Sequence, residues 1–196
     1  MGQHSAAERV IDAGRWGTLR VEDHLGCGLE WLDEDSGHYA TVIEIPRKHS
    51  MKVGSLGQVR FGKGSYVNIG TMKQGLVRRV ARHLTREKNE GVWHVDRLTT
   101  SPATRVLGAV MVPWIPWTEH TLSSAVGARL GLSTPIPRFS SIDCKAGCAS
   151  HLWFSPKPLS LETVAAAVSG ACATLVETRR AGSSSSSARR TRAPVR

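Results

Sequence analysis

Residues 39–84 carry two strand patterns followed by a helix pattern, and this order restricts the fold to a sheet with a helix packed on it. Residues 39–45 alternate between two sets of side chains, which is the period of a half-buried strand, and Pro46 ends it. A second short strand, residues 66–69, ends at Gly70. Residues 74–88 then repeat apolar side chains at three- and four-residue spacing, which predicts an amphipathic helix.

Three later segments extend this pattern. Residues 106–112 predict a buried strand, and an alanine-rich stretch at 161–179 predicts a final helix that covers the sheet. Between them, Thr118 is a suitable N-cap for a helix that runs to residue 130 and stops at Gly131. The order strand, strand, helix, strand, helix predicts a small α/β domain, with a short, mainly antiparallel central sheet flanked by helices.

The chain divides into four parts by composition. We expect an N-terminal extension over residues 1–35, packed loosely beside the domain, and one domain over residues 36–158. The C-terminal helix would then occupy residues 159–181. Residues 182–196 are rich in serine and arginine, bury too little apolar surface to fold, and are predicted to be disordered.

Composition favours a nucleic-acid partner. The chain has 196 residues and a formal net charge of +10, and the resulting positive potential attracts phosphate backbones. Apolar runs are all shorter than the roughly 18 residues that a membrane span needs, so no membrane partner is expected. Four scattered cysteines favour a reducing compartment, and we expect a cytoplasmic protein, associated with the nucleoid or, in a eukaryote, nuclear.

The predicted helix has a cationic side. By three- and four-residue spacing, one face of this helix carries Arg79, Arg82, His83 and Arg86, with Arg78 beside them. A guanidinium presents a planar fork of charged donors that matches phosphate oxygens. The alternative is a solvated face without a ligand.

A carboxylate at the start of the next helix is the candidate metal ligand. Glu119 shares the helix face of Leu122 and Val126, where an unpaired charge is costly. A Mg²⁺ ion would offset that cost through oxygen ligands. A favourable position in the field of the helix N-terminus is the competing explanation.

A second cluster of candidate ligands follows residue 140. Its spacing is Cys-x3-Cys-x2-His, formed by Cys144, Cys148 and His151, and Asp143 precedes it. Two thiolates and an imidazole suit structural zinc, with His94 or Asp143 as the fourth ligand. A hydrogen-bonded structural corner is the alternative.

The motifs together resemble the GIY-YIG nuclease superfamily, and within it the Uri-type branch. The general motifs are Gly37-His38-Tyr39, Tyr66 to Gly70, and the helix residues Arg79, Arg82 and His83. The motifs similar to the Uri-type branch are Arg82-His83-Leu84, Trp93-His94-Val95-Asp96, Glu119, Asp143-Cys144, Cys148 and Ser150-His151-Leu152. The resemblance covers about residues 37–154.

This resemblance implies a divalent-metal-dependent endonuclease that hydrolyses DNA phosphodiester bonds, in DNA repair, recombination or mobile-element processing. The catalytic residues it implies are Tyr39, Arg79, His83 and Glu119, with Glu119 holding Mg²⁺ or Mn²⁺. Around them we expect DNA contacts from Tyr66, Asn68, Arg78, Arg82, Arg86 and His94. RNA stays open as an alternative substrate.

One position departs from the family pattern. The second motif tyrosine normally lies two residues before the glycine, and here Asn68 holds that place while Tyr66 lies one pleat earlier, about 6.5 to 7 Å away along the strand. An amide cannot act as a base near neutral pH. The alternative functions are therefore a DNA-binding module of the same fold without turnover, and a zinc-stabilised nucleic-acid adaptor that binds mainly through its tail.

Overall fold

The structure is a computed structural model that describes residues 17–19, 36–88, 93–113 and 118–189. Its main element is a five-stranded sheet in which every strand pairs antiparallel to its neighbours. In spatial order the strands are β1 (Gly17–Leu19), β6 (Arg105–Pro113), β2 (Gly37–Ile45), β5 (Gly64–Met72) and β7 (Leu152–Ser155).

A small hairpin and four helices complete the described part of the chain. The hairpin joins β3 (His49–Lys52) to β4 (Gln58–Phe61) as a separate two-stranded sheet, and a short 3-10 turn, Gly54–Leu56, connects them. The helices are α1 (Leu76–Leu84), α2 (His94–Thr100), α3 (Glu119–Arg129) and α4 (Leu161–Arg189). The predicted α/β class with a mainly antiparallel, helix-flanked sheet is confirmed.

Two boundaries differ from the sequence-based expectation. Strand β1 lies within the predicted extension, yet it pairs with β6 and so belongs to the sheet rather than packing loosely beside it. Helix α4 continues to Arg189, into the segment for which a disordered tail was predicted. A helix that is already nucleated and packed adds further turns at little cost, and serine does not break it. Residues 190–196 lie outside the described residues.

The sheet has an apolar core on each face. One core lies under α3 and α4, where alternate residues of the central strands, such as Ala40 and Val42, meet Leu122 and Val168. The opposite face carries Tyr39, which packs with Leu76 and other buried residues of α1. Because side chains alternate between the faces of a strand, Tyr39 and Thr41 share the α1 side of the sheet.

The register of β2 and β5 places three residue pairs on that side. Tyr39 lies opposite Gly70, Thr41 opposite Asn68, and Ile43 opposite Tyr66. A Cβ atom at residue 70 would overlap the ring and hydroxyl of Tyr39. Gly70 is therefore required by close packing, because the tyrosine ring lies across its backbone.

Candidate active site

A cleft of about 490 Å³ opens at one end of the sheet. Three groups predicted to act together line it although they are far apart in sequence: the Tyr39 phenol on β2, the Arg79 guanidinium on α1 and the Glu119 carboxylate on α3. The floor between them includes Asn68 and Gly70 of β5. Other lining residues are Ser55, Ile69, Thr71, Trp93, His94, Val95, Ser140, Ile142 and Asp143.

The phenol of Tyr39 is buried and hydrogen-bonded. Its Oη lies 3.1 Å from Nε2 of His83, a contact between β2 and α1. Burial raises the pKa of Tyr39 above its ordinary value of 10.0, and the Arg79 guanidinium, which lowers it, does not outweigh burial. At neutral pH the phenol is therefore protonated, with a ring nitrogen of His83 within hydrogen-bonding distance.

The spacing predicted that His83 lies on the cationic surface of its helix. In the structure it is buried instead. Its imidazole is 0% exposed, and Nδ1 lies 3.4 Å from Oδ1 of Asp96 on α2. Burial lowers the pKa of His83, although Asp96 opposes the effect. The unprotonated imidazole can then carry its hydrogen on Nδ1, facing Asp96, and accept the Tyr39 hydroxyl proton on Nε2.

Asp96 is the central anion of this network. Its buried Oδ2 accepts hydrogen bonds from Nε and Nη2 of Arg82, at 3.3 and 3.1 Å, and from the backbone N–H of Trp93 at 3.3 Å. Nζ of Lys88 lies 3.5 Å from Oδ1. Burial alone raises the pKa of Asp96, but the hydrogen bond with His83 and these other partners outweigh burial and hold it well below the ordinary value.

The sequence motif that contains Asp96 did not reveal its role as the partner of His83. The available signal was a carboxylate at the third position of a short helix, between the buried Val95 and Leu98, where burial requires a cationic partner. Which partner it meets depends on how α1 and α2 pack, and local spacing does not reveal that.

The Arg79 guanidinium is stacked rather than freely mobile. Its Cζ lies 3.5 Å from the centroid of the Trp93 ring, a cation–π contact that restricts the planar group at the cleft wall. Trp93 and Ile142 are the two exposed large hydrophobic residues of the described chain, and both line the cleft. The Arg79 fork is thus held beside the Tyr39 hydroxyl on a partly apolar surface.

The other arginines of the segment predicted to be helical have different positions, and Arg86 lies beyond the end of α1 at Leu84. Arg82 is paired with Asp96, and Arg86 donates to the carbonyl oxygens of Ser101 and Thr104, both at 3.0 Å. These two side chains connect α1 to the α2 region, which accounts for their conformation without a DNA contact. Arg78 is exposed and lies outside the cleft lining.

Tyr66 does not reach the cleft. It is 1% exposed, its hydroxyl donates to the carbonyl oxygen of Gly62 at 3.1 Å, and its ring packs against Phe61 and Phe154. The prediction that Tyr66 contacts DNA is wrong, because this strand position faces a filled apolar core. Asn68, by contrast, lines the cleft, and its buried Oδ1 has no hydrogen-bond partner among the described protein atoms.

Glu119 is half-buried and paired. Thr118 precedes α3 at the N-cap position, as predicted, and leaves Glu119 in the first turn. One carboxylate oxygen, Oε1, lies 2.5 Å from Nδ1 of His151. The cost of an unpaired charge, which motivated the Mg²⁺ assignment, is therefore partly offset by His151, while the second oxygen of Glu119 is not engaged by this contact.

Three of the predicted corner residues form a group that could hold a metal ion. The Sγ atoms of Cys144 and Cys148 and one ring nitrogen of His151 all lie within 4.8 Å of one another. Although burial opposes it, hydrogen bonds from Cys148 and Ala146 and from the His151 ring lower the pKa of Cys144, whereas burial and the neighbouring Cys144 raise the pKa of Cys148.

The two residues expected to supply a fourth ligand do not join this group. Asp143 is exposed and lines the cleft. The Nδ1 atom of His94 accepts the backbone N–H of Ser140 at 3.3 Å, and Nε2 lies 3.4 Å from Oγ of Ser55. Burial, followed by the charge of Arg138, lowers the pKa of His94. His94 is thus a neutral imidazole in the cleft wall.

The chain is thus a small α/β domain with a polar cleft at one end of its antiparallel sheet. The family model described as Domain of unknown function DUF123 matches residues 38–173, which is well over half of the chain and includes the whole cleft. The chain belongs to this family. No curated protein and no solved structure shows significant similarity to it. Within the residues that the structure describes, no helix has the length and apolar character to cross a membrane.

Proposed function

We propose that this chain is a divalent-metal-dependent DNA endonuclease that hydrolyses phosphodiester bonds. The observation that carries the proposal is the convergence of Tyr39, Arg79 and Glu119 on one cleft. Phosphodiester hydrolysis needs a group that accepts a proton from water, a cation that neutralises charge on phosphorus, and assistance to the leaving oxygen. These three side chains match those requirements.

Tyr39 and His83 account for water activation. The attacking water gives a proton to the Tyr39 oxygen while the tyrosine gives its own proton to Nε2 of His83, at a separation of 3.1 Å. His83 becomes an imidazolium whose charge faces Asp96. This concerted path does not need a preformed phenolate, which agrees with the raised pKa of Tyr39.

Arg79 and Glu119 account for the charge on the phosphate. The stacked guanidinium of Arg79 can present two donors to nonbridging oxygens. Glu119 would hold Mg²⁺ or Mn²⁺ through the oxygen that His151 leaves unengaged, and Asp143 is a second carboxylate at the same cleft. Such sites use one or two carboxylates plus waters and substrate oxygens, so the residues present fit the ion. When bound, the ion supplies Lewis-acid stabilisation of the developing charge.

The partner and the second metal are part of the same proposal. The net charge of +10 supports a polyanionic substrate, for which we infer DNA, with RNA as the alternative to test. We also infer that the ion suited to Cys144, Cys148 and His151 is structural Zn²⁺, because thiolate and imidazole ligands favour it. The inferred setting is the cytoplasm, at chromosomal or mobile-element DNA.

A cleavage assay tests the activity. Purified protein is incubated with duplex, single-stranded and branched DNA and with matched RNA, with Mg²⁺, Mn²⁺ or chelator. We expect metal-dependent cleavage that Tyr39→Phe and Glu119→Gln each reduce by about 10²-fold or more. The matched control is Glu162→Gln, an exposed carboxylate on α4 outside the cleft, which should cleave like the wild type. Equal cleavage by all four proteins would contradict the proposal.

Asn68 supports the second candidate, a DNA-binding module of the same family without turnover. It occupies the cleft floor on the same sheet face as Tyr39, at the position that the resemblance assigns to a second tyrosine. A wild type that binds DNA without cleaving it, and that gains cleavage on Asn68→Tyr, would favour this candidate over the enzyme.

A further inference from the structure

The corner formed by Cys144, Cys148 and His151 is connected to the cleft by two hydrogen bonds of His151. Its ring contacts the Glu119 carboxylate, and its carbonyl oxygen accepts the backbone N–H of Ile69 at 3.0 Å. The corner loop is fixed by backbone contacts: Gly147 N–H donates to the Cys144 carbonyl oxygen at 3.0 Å. His151 precedes β7, and its backbone N–H donates to Phe139 at 2.9 Å. None of the three candidate ligands lines the cleft, whereas Glu119, which contacts His151, does.

The two nitrogens of the His151 ring have different surroundings. Nδ1 lies 2.5 Å from Oε1 of Glu119, so it carries the hydrogen and donates to the carboxylate. Nε2 is buried and makes no hydrogen bond of ordinary geometry among the described protein atoms, although the ring also interacts with the Cys144 thiol. Nε2 is therefore the ring nitrogen left for a metal, in a group where Cys144 is itself a candidate ligand. Metal-binding histidines characteristically donate their other N–H to a carboxylate in this way.

We propose that Cys144, Cys148 and His151 bind one zinc ion, and that this ion positions Glu119 in the cleft by fixing the His151 ring. The metal site stands on its own geometry, while its effect on catalysis rests on the proposed nuclease function. Glu119 then lines the cleft and also accepts a hydrogen bond from the His151 ring that binds the zinc.

The balance of charge suits this arrangement. Zinc binding replaces the protons of two thiols, so that Zn²⁺, two thiolates and a neutral imidazole form a site with no net charge, and two protons leave to solvent. His94 and Asp143 are not part of the group, so within the residues that the structure describes the site has three protein ligands. Without zinc, the His151 ring lacks a ligand on Nε2, and Glu119 is the hydrogen-bond partner that remains on its other nitrogen.

Metal analysis of the full-length protein tests the site. We expect one zinc per chain in the wild type and loss of zinc in Cys144→Ser and Cys148→Ser. Cys172→Ser is the matched control, because this cysteine is buried in α4 away from the group, and the variant should keep its zinc. Cobalt substitution should produce the charge-transfer and visible bands of a tetrahedral thiolate site. Absence of zinc, or equal zinc in all the cysteine variants, overturns the proposal. So does a Cys144–Cys148 disulfide found by mass spectrometry under reducing purification.

Two measurements test the link to Glu119. Glu119→Gln should weaken zinc binding by about 10- to 100-fold in a chelator competition, the usual effect of removing an outer partner, and should shift the His151 ring nitrogen resonances. Cys144→Ser should raise the Mg²⁺ concentration needed for half-maximal cleavage. If the cysteine variant does not fold, wild-type protein stripped of zinc by a thiol-compatible chelator replaces it.

The outcomes separate the two proposals. The coupling between the zinc site and Glu119 is overturned if Glu119→Gln leaves both the zinc affinity and the His151 resonances unchanged. It is also overturned if zinc-free protein cleaves DNA with an unchanged Mg²⁺ requirement. A wild type that never cleaves contradicts the nuclease function alone, because zinc content and the response of zinc affinity to Glu119→Gln still decide the corner.

Discussion

The hydroxyl of Tyr39 lies 3.1 Å from Nε2 of His83, and both side chains are buried between the sheet and α1. On its other side, His83 faces Asp96, which gives a phenol–imidazole–carboxylate series leading inward from the cleft. A carboxylate behind a histidine fixes which ring nitrogen carries the hydrogen. The following predictions depend on this series and on its neighbours.

Asp96→Asn should lower kcat by about 10²- to 10⁴-fold, because an amide can favour the wrong tautomer of the His83 imidazole. KM should change little, because Asp96 lies outside the cleft lining. Cleavage kinetics at a temperature well below unfolding measure this. Lys88→Gln removes another partner of the same carboxylate and leaves His83 in place, so it is the control for lost stability. Similar kcat losses in both variants would indicate that Asp96 acts only through the fold.

Acid should remove the stabilisation that Asp96 provides. Its pKa in the folded state lies below the unfolded value of 3.8, so the contribution is complete above about pH 4 and is lost as the pH falls through that value toward the folded pKa. The difference in free energy of unfolding between the wild type and Asp96→Asn should therefore shrink below pH 4, by up to about 1.4 kcal/mol per pH unit. Urea unfolding at a series of pH values checks this; a difference that stays constant down to pH 2.5 would refute it.

Arg79→Lys should reduce cleavage by about 10²-fold, because an ammonium group neither stacks on Trp93 as a plane nor presents a two-donor fork. The neighbouring exposed residue supplies the control: Arg78→Lys conserves charge in the same way and should stay within about threefold of the wild type. Equal losses in the two variants, measured as kcat/KM on one substrate, would argue against a specific role for the stacked guanidinium.

Gly70→Ala should destabilise the protein by about 1–3 kcal/mol and displace the Tyr39 ring, since the added methyl group would overlap it. Gly62→Ala is the comparison, because its nearest neighbour there is a Phe154 ring atom at 3.4 Å. Thermal unfolding and cleavage rates should both fall more in Gly70→Ala. A Gly70→Ala protein with wild-type stability would show that the ring can move at no cost.

The periodicity of apolar residues was sufficient to predict the strands and helices that pack one face on the core. The strands around Tyr39 and Val110 and the helix that begins at Glu119 lie where their apolar spacing predicts. Helix α2 and strand β7 are short, at 7 and 4 residues, and too few side chains repeat in them to reveal a period.

The candidate site was predictable in its residue types and less so in its connections. Spacing placed His83 with the arginines, but the packing of α1 against β2 turned it inward to Tyr39. The contacts of Asp96 with His83 and of Glu119 with His151 join residues 13 or more positions apart, and only the tertiary fold brings them together. Tyr66 shows the reverse: a rare residue at a suggestive position serves the core.

Strand β1 protects one side of the sheet. Three residues, Gly17–Leu19, cover the backbone of β6 opposite Ala109, Val110 and Met111. Without them, the middle of the nine-residue strand β6 would lose this pairing, and an unpaired strand edge readily recruits a strand from a second molecule. Shortened versions of the protein that omit Gly17–Leu19 should therefore be more prone to associate edge to edge through β6.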